Sequence, residues 1–118
     1  MSQESRRATR RSVAHAIDVI DTMTDASLGR LSNLSASGLL LMSNDALPEE
    51  ALYQVQFVLL DRGGRERTIV AGAQQLWSSE ASAPGNFWNG MRFIDISQPD
   101  SDFLRLWAES PELERARD

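Results

Sequence analysis

The segment from Tyr53 to Trp77 constrains the fold more than any other part of the chain. Tyr53, Val55 and Phe57 alternate with Gln54 and Gln56, the period-two pattern of a strand with one buried face. Asp61-Arg62-Gly63-Gly64 follows, and its glycines allow the positive φ that a tight hairpin turn requires. Glu66 to Trp77 then reads as the return strand, with Gly72 marking a bulge. A long hairpin of this kind needs further strands to cover its apolar face and its edges.

The rest of the chain supplies them. Val13–Ile20 reads as a strand, with Ile17 and Val19 alternating against Asp18, and Asp21–Gly29 as a turn region. Arg30–Leu34 and Gly38–Met42 read as two short strands around the corner Asn33-Leu34-Ser35-Ala36-Ser37-Gly38. Ser43–Glu50 is a polar connection with room for one helical turn, Ser78–Asn86 a loop rich in Ser, Ala, Pro and Gly, and Phe87–Ile96 the last strand. Ser97–Ser101 offers helix caps, and Asp102 falls in the first turn, where its charge suits the helix dipole. Phe103, Leu104, Leu106 and Trp107 make an apolar stripe at helical spacing, and Pro111 stops the helix. The expectation is mainly β: a six-stranded antiparallel barrel, closed so that no edge is left, with a C-terminal helix. Residues 1–11 are polar and without apolar periodicity, which predicts a mobile arm; 12–110 form the barrel and helix, and 111–118 a tail.

Composition narrows the function. A chain of 118 residues fits one compact domain. It has no cysteine and one histidine, which excludes disulfides, thiolate sites and multi-histidine metal sites. No stretch approaches the roughly 20 apolar residues of a membrane span, and the basic run before Val13 is not followed by an unbroken apolar stretch of signal-peptide type. The cytosol is the expected location. The net charge of -5 argues against general nucleic-acid binding. All twelve cationic residues are arginine, and four of them lie between Arg6 and Arg11, so an acidic body carries one basic arm.

Two clusters carry chemistry. Arg6-Arg7-Ala8-Thr9-Arg10-Arg11 holds the spacing Arg-x-x-x-Arg twice, as Arg6 with Arg10 and as Arg7 with Arg11. The guanidinium fork suits phosphate and the O6/N7 edge of guanine. Residues four apart in an extended arm lie roughly 13 Å apart, enough to grip opposite parts of a dinucleotide. A solvated basic tail has the same composition. Asn33-x-Ser35-x-x-Gly38 offers an amide, a hydroxyl and a position of close approach, all usable by a purine edge. A turn capped by its own Asn and Ser is the alternative.

Together these clusters resemble the PilZ domain family, marked by Arg-x-x-x-Arg in an N-terminal arm and Asp/Asn-x-Ser-x-x-Gly roughly twenty residues later. The resemblance spans residues 6–108 and includes Gly90-Met91-Arg92-Phe93 in the last strand. It implies a bacterial, stand-alone receptor for the second messenger cyclic di-GMP. In that reading Arg7 and Arg11, directly before the first strand, hold guanine and phosphate, and Asn33, Ser35 and Gly38 receive a second part of the ligand. Arg6, just ahead of that pair, is the feature that accompanies an intercalated pair of ligands in the family. The resemblance further implies that the arm closes on the barrel to alter a surface for a protein effector.

Trp77 ends a strand and can either stack on a guanine or close the barrel. Phe103, Leu106 and Trp107 are expected to cover the barrel's open end, Phe87 and Trp88 to pack on strands, and His15 to sit on a strand face. Arg62, Arg65 and Arg67 surround the hairpin and are expected to be exposed, with Arg67 able to extend the anion surface. No Gly-rich phosphate loop, catalytic triad or metal-ligand spacing is present, so catalysis is not expected. Two other functions compete: a PilZ-like adaptor that binds protein alone, and a small barrel for single-stranded nucleic acid, which would need an extended basic groove.

Overall fold

A computed structural model describes residues 9–13 and 15–110. Arg6, Arg7 and most of the arm lie outside the described residues, as does the tail. The elements are β1 (Arg11–Ser12), β2 (Asp18–Asp21), β3 (Ala26–Leu34), β4 (Gly38–Ser43), β5 (Leu52–Leu60), β6 (Glu66–Glu80), β7 (Phe87–Ile96) and one helix, α1 (Gln98–Glu109). Every pairing is antiparallel. Strands run β3-β2-β5-β6-β7-β4, and pairing of β3 with β4 closes the ring into a six-stranded barrel. β1 adds a short seventh strand against β3, with Arg11 opposite Leu34.

Three local expectations change. The strand expected over Val13–Ile20 is divided, because β1 pairs with the end of β3 and β2 with its beginning. The segment between bridges them, with Val13 N bonded to Ser32 O (2.9 Å) and Leu31 N to Ile17 O (2.8 Å). His15 accordingly falls in an exposed bend. The turn expected over Asp21–Gly29 shrinks to Thr22–Asp25. Asp25 adopts φ 63°, its N–H and that of Thr24 reach the Asp21 carbonyl, and the Asp21 carboxylate accepts from Met23 N, so β3 can start at Ala26. Ser43–Glu50 contains no helical turn. Pro48–Ala51 makes a tight turn instead, with Glu50 at φ 69°.

The core is formed by inward residues of all six barrel strands, among them Val19, Leu34, Leu41, Phe57 and Ile69, each no more than 1% exposed. Leu104 and Ala108 of α1 are buried at one end of the barrel, with Phe103 and Trp107 packed beside them. Leu106 does not take part. It stands about 200° around the helix from Leu104 and is 61% exposed. Ser97 caps α1 by accepting from Asp100 N. Arg67 is engaged here too: its guanidinium donates to Asp100 (2.8 Å) and lies 4.8 Å from the Phe103 ring centroid, tying the helix to β6.

One polar network is enclosed in the wall. Asn89 Oδ1 accepts from Leu47 N, Gln75 Nε2 and Ser78 Oγ, and its amide donates to Ser43 Oγ and Asp45 O. Gln75 and Asn89 are wholly buried, so these bonds fix the connection after β4 onto β6 and β7.

Candidate functional site

The Asn33–Gly38 corner begins with a bulge. In β3, Leu31 opposes Leu41 and Asn33 opposes Leu40, so Ser32 is extra. Leu31 and Leu34 both face the core, a spacing of three that strict alternation cannot produce. The bulge resolves it and carries Asn33 to the outer wall. The corner then closes through Ser35 N to Gly38 O (3.0 Å). The buried Ser35 hydroxyl accepts from Ser37 N (3.1 Å) and meets Ser37 Oγ (3.0 Å). Gly38 is required by closeness: a Cβ there would lie 2.2 Å from the Met91 carbonyl oxygen of β7.

Arg10 reaches this corner. Its Nε donates to Asn33 Oδ1 (2.7 Å), one terminal nitrogen to Ser35 Oγ (3.3 Å) and the other to Gly38 O (3.4 Å). Desolvation lowers its pKa, but an arginine stays cationic at any physiological pH. Arg11, the next residue, points the opposite way, as neighbours in a strand must. It is 8% exposed, donates to the Trp107 carbonyl (2.8 Å) and stacks over the Trp107 ring with its guanidinium carbon 3.9 Å from the centroid.

A cleft of about 590 Å³ opens beside Arg10, walled by Asn33, Gly38, Trp77, Gly90 and Arg92. Trp77 reaches it through a second bulge. Ile69, Ala71, Ala73 and Gln75 face inward on β6, and continued alternation would send Trp77 in after them. The register slips between Gln75 and Trp77, leaving Leu76 and Trp77 both outside, 43% and 44% exposed. The indole crosses to β7 and covers Gly90, where a Cβ would be 2.3 Å from its Nε1. Arg92 stands two residues further along β7 and donates from Nε to Gln74 Oε1 (2.9 Å). Among the described residues neither Arg10 nor Arg92 has an ion pair, so both cations are available to an anion.

Of the residues singled out in the sequence, Arg10, Asn33, Ser35, Gly38 and Trp77 meet around this cleft, while Arg11 is committed to α1 and Arg6 and Arg7 are outside the described residues. Arg10, of the Arg6/Arg10 spacing, is the arginine bonded to the corner, and Arg11, to which the resemblance gives guanine or phosphate, is turned to Trp107. Sequence reasoning did not count Arg92 or Gly90 as site residues, although Gly90-Met91-Arg92-Phe93 was legible as a run.

No known family model and no curated protein matches the sequence. Solved structures do match the fold. The PilZ domain of YcgR from Escherichia coli, determined with c-di-GMP, aligns over 96% of this chain and 98% of its own at TM-score 0.67 and 19% identity. YcgR from Escherichia coli in complex with c-di-GMP aligns over 95% of this chain and 48% of that one, at TM-score 0.72 and 22% identity. The Bacillus subtilis inhibitor of motility MotI/DgrA aligns over 93% and 52%, at TM-score 0.70 and 14% identity. This chain thus spans about half the length of the last two. Barrel, corner and cleft together define a small closed β-barrel with a cationic site on its wall. The fold, with its C-terminal helix, is that of a PilZ-like domain.

Proposed function

We propose that this domain is a receptor for cyclic di-GMP, a binding module and not an enzyme, acting in the bacterial cytosol. The observation that carries the reading is Arg10 seated on Asn33, Ser35 and Gly38 at the mouth of a cleft that also holds Trp77 and Arg92. Cyclic di-GMP has two phosphate charges and two flat bases, and this wall offers two cations and one exposed indole to meet them. That the neighbouring YcgR structures hold c-di-GMP supports the choice of ligand. Arg6, four residues ahead of Arg10, is then the second arginine of the Arg-x-x-x-Arg pair. In this register Ser5 precedes the pair, so the feature tied to an intercalated ligand pair is lacking and one ligand per chain is expected.

The relay to a protein effector runs through β1. Arg10 faces the ligand and Arg11 holds the Trp107 backbone, so any pull on the arm is passed one residue along to α1. Isothermal titration with cyclic di-GMP tests the binding. Saturable heat at one ligand per chain, weakened by Arg10→Ala about tenfold to a hundredfold, is the expected result. Absence of binding by two independent methods would turn the reading to an adaptor that meets protein alone. The relay is tested by hydrogen exchange, which should change in α1 when ligand is added.

A further inference from the structure

We propose that Arg92 determines base specificity by reading the O6/N7 edge of a purine stacked on Trp77. The inference rests on the cyclic di-GMP reading and deepens it. Trp77 and Arg92 occupy one outer face. Trp77 pairs across the sheet with Gly90, and Arg92 stands two positions further along β7, roughly 7 Å away. The nitrogen side of the indole lies directly over Gly90, which anchors the ring while leaving it 44% exposed to the cleft. A base laid on that ring presents its edge along the wall, towards Arg92.

The orientation of Arg92 suits this task. Gln74, its cross-strand neighbour, accepts from Nε at 2.9 Å. That single bond uses the inner donor and leaves the two terminal amino groups as a planar fork. Among the described residues no carboxylate claims them. Two parallel donors match guanine, which presents acceptors at both O6 and N7. Adenine places a donor where O6 would be, so it repels one arm of the fork. Arg10 is on the other wall of the cleft with its fork directed at Asn33, Ser35 and Gly38. The two arginines therefore do different work: Arg10 anchors the ligand beside the corner, and Arg92 selects the base.

The test titrates wild type, Arg92→Ala and Gln74→Ala with cyclic di-GMP, cyclic di-AMP and cyclic di-IMP, the last of which keeps O6 and N7. Thermal midpoints check that the variants are folded. The expected result is a loss of about ten- to a hundredfold for the guanine and inosine ligands in Arg92→Ala, with cyclic di-AMP unchanged. Gln74→Ala, which frees the fork, should lose a few-fold with the same selectivity pattern. If wild type shows no measurable binding of cyclic di-AMP, salt decides. A base-edge contact leaves the slope of log affinity against log salt unchanged, and a phosphate contact reduces its magnitude by about one. Equal losses for guanine and adenine ligands, a reduced salt slope, or no loss for cyclic di-GMP would each overturn the assignment. Failure of wild type to bind any of the three would remove the receptor reading itself, a different outcome.

Discussion

Replacing Arg11 and Arg10 separately with alanine should produce opposite phenotypes, although the two residues are adjacent and identical. Arg11 is 8% exposed, and two of its interactions are with Trp107: a charged hydrogen bond to the carbonyl at 2.8 Å and a cation–π contact at 3.9 Å. The bond is worth about 1.5–3 kcal/mol and the desolvated cation–π contact up to about 2. Because both run from one side chain to Trp107 they do not add fully, and together they are worth about 3 kcal/mol. For a domain near 100 residues, 1 kcal/mol moves Tm by roughly 4–8 °C, so Arg11→Ala should melt at least about 12 °C early. Arg10 bonds across the outer wall and stays partly in solvent, so Arg10→Ala should cost about 1 kcal/mol, clearly less than Arg11→Ala, while losing ligand. Thermal and urea unfolding followed by circular dichroism, beside the cyclic di-GMP titration, measure both effects. Equal Tm values for the two variants, or a larger drop for Arg10→Ala, would refute the division of labour between them.

Gly38→Ala should destabilise the barrel by about 1–3 kcal/mol, seen in the urea midpoint, because its Cβ would meet the Met91 backbone oxygen at 2.2 Å and backbone cannot step aside. Phe57→Ala removes a side chain 1% exposed in the core and should cost about 3–5 kcal/mol by the same measurement. Asn89→Leu leaves Leu47 N, Gln75 and Ser43 without their shared partner inside the wall, and a loss of about 3 kcal/mol or more is expected. Asp61 and Asp102 respond to acid. Hydrogen bonding from Arg65 N–H and then Gly63 N–H lowers the pKa of Asp61, and bonds from Gln98 and then Arg105 lower that of Asp102. With folded values below the ordinary 3.8, their contribution is present above 3.8 and lost as pH falls through the lowered values. In acid unfolding the advantage of wild type over Asp61→Asn should therefore be full above pH 3.8, shrink below it and vanish once pH is under the lowered value.

The hairpin read over Tyr53–Trp77, the closing strand and the capped helix were all legible, since each depends on signals within a few residues: alternation, paired glycines, a serine cap followed by helical periodicity; β6 runs on to Glu80, through residues read as loop. The chemistry of Asn33, Ser35 and Gly38 was legible for the same reason, because a corner motif is local. The register of the arginines was not. Arg10 and Arg11 are equivalent in composition, and which one faces the corner depends on β1 pairing with β3, a contact between residues more than twenty apart. Leu106 was misread because the exact phase of a short stripe is set by the barrel end it packs against.

The sequence alone determined an antiparallel β-barrel with a helix at its end and a cationic arm ahead of a polar corner. Tertiary structure decided which side chains the site contains. Alternation along β6 sends Trp77 into the core, and alternation along β3 puts Asn33 on the same face as Leu31. Both are reversed by bulges in the pairing of β3 with β4 and of β6 with β7. The shift at Gly72 was marked by its glycine, but the bulges at Ser32 and Leu76 carry no such residue, and the cleft built by these two could be found only once the strands were paired.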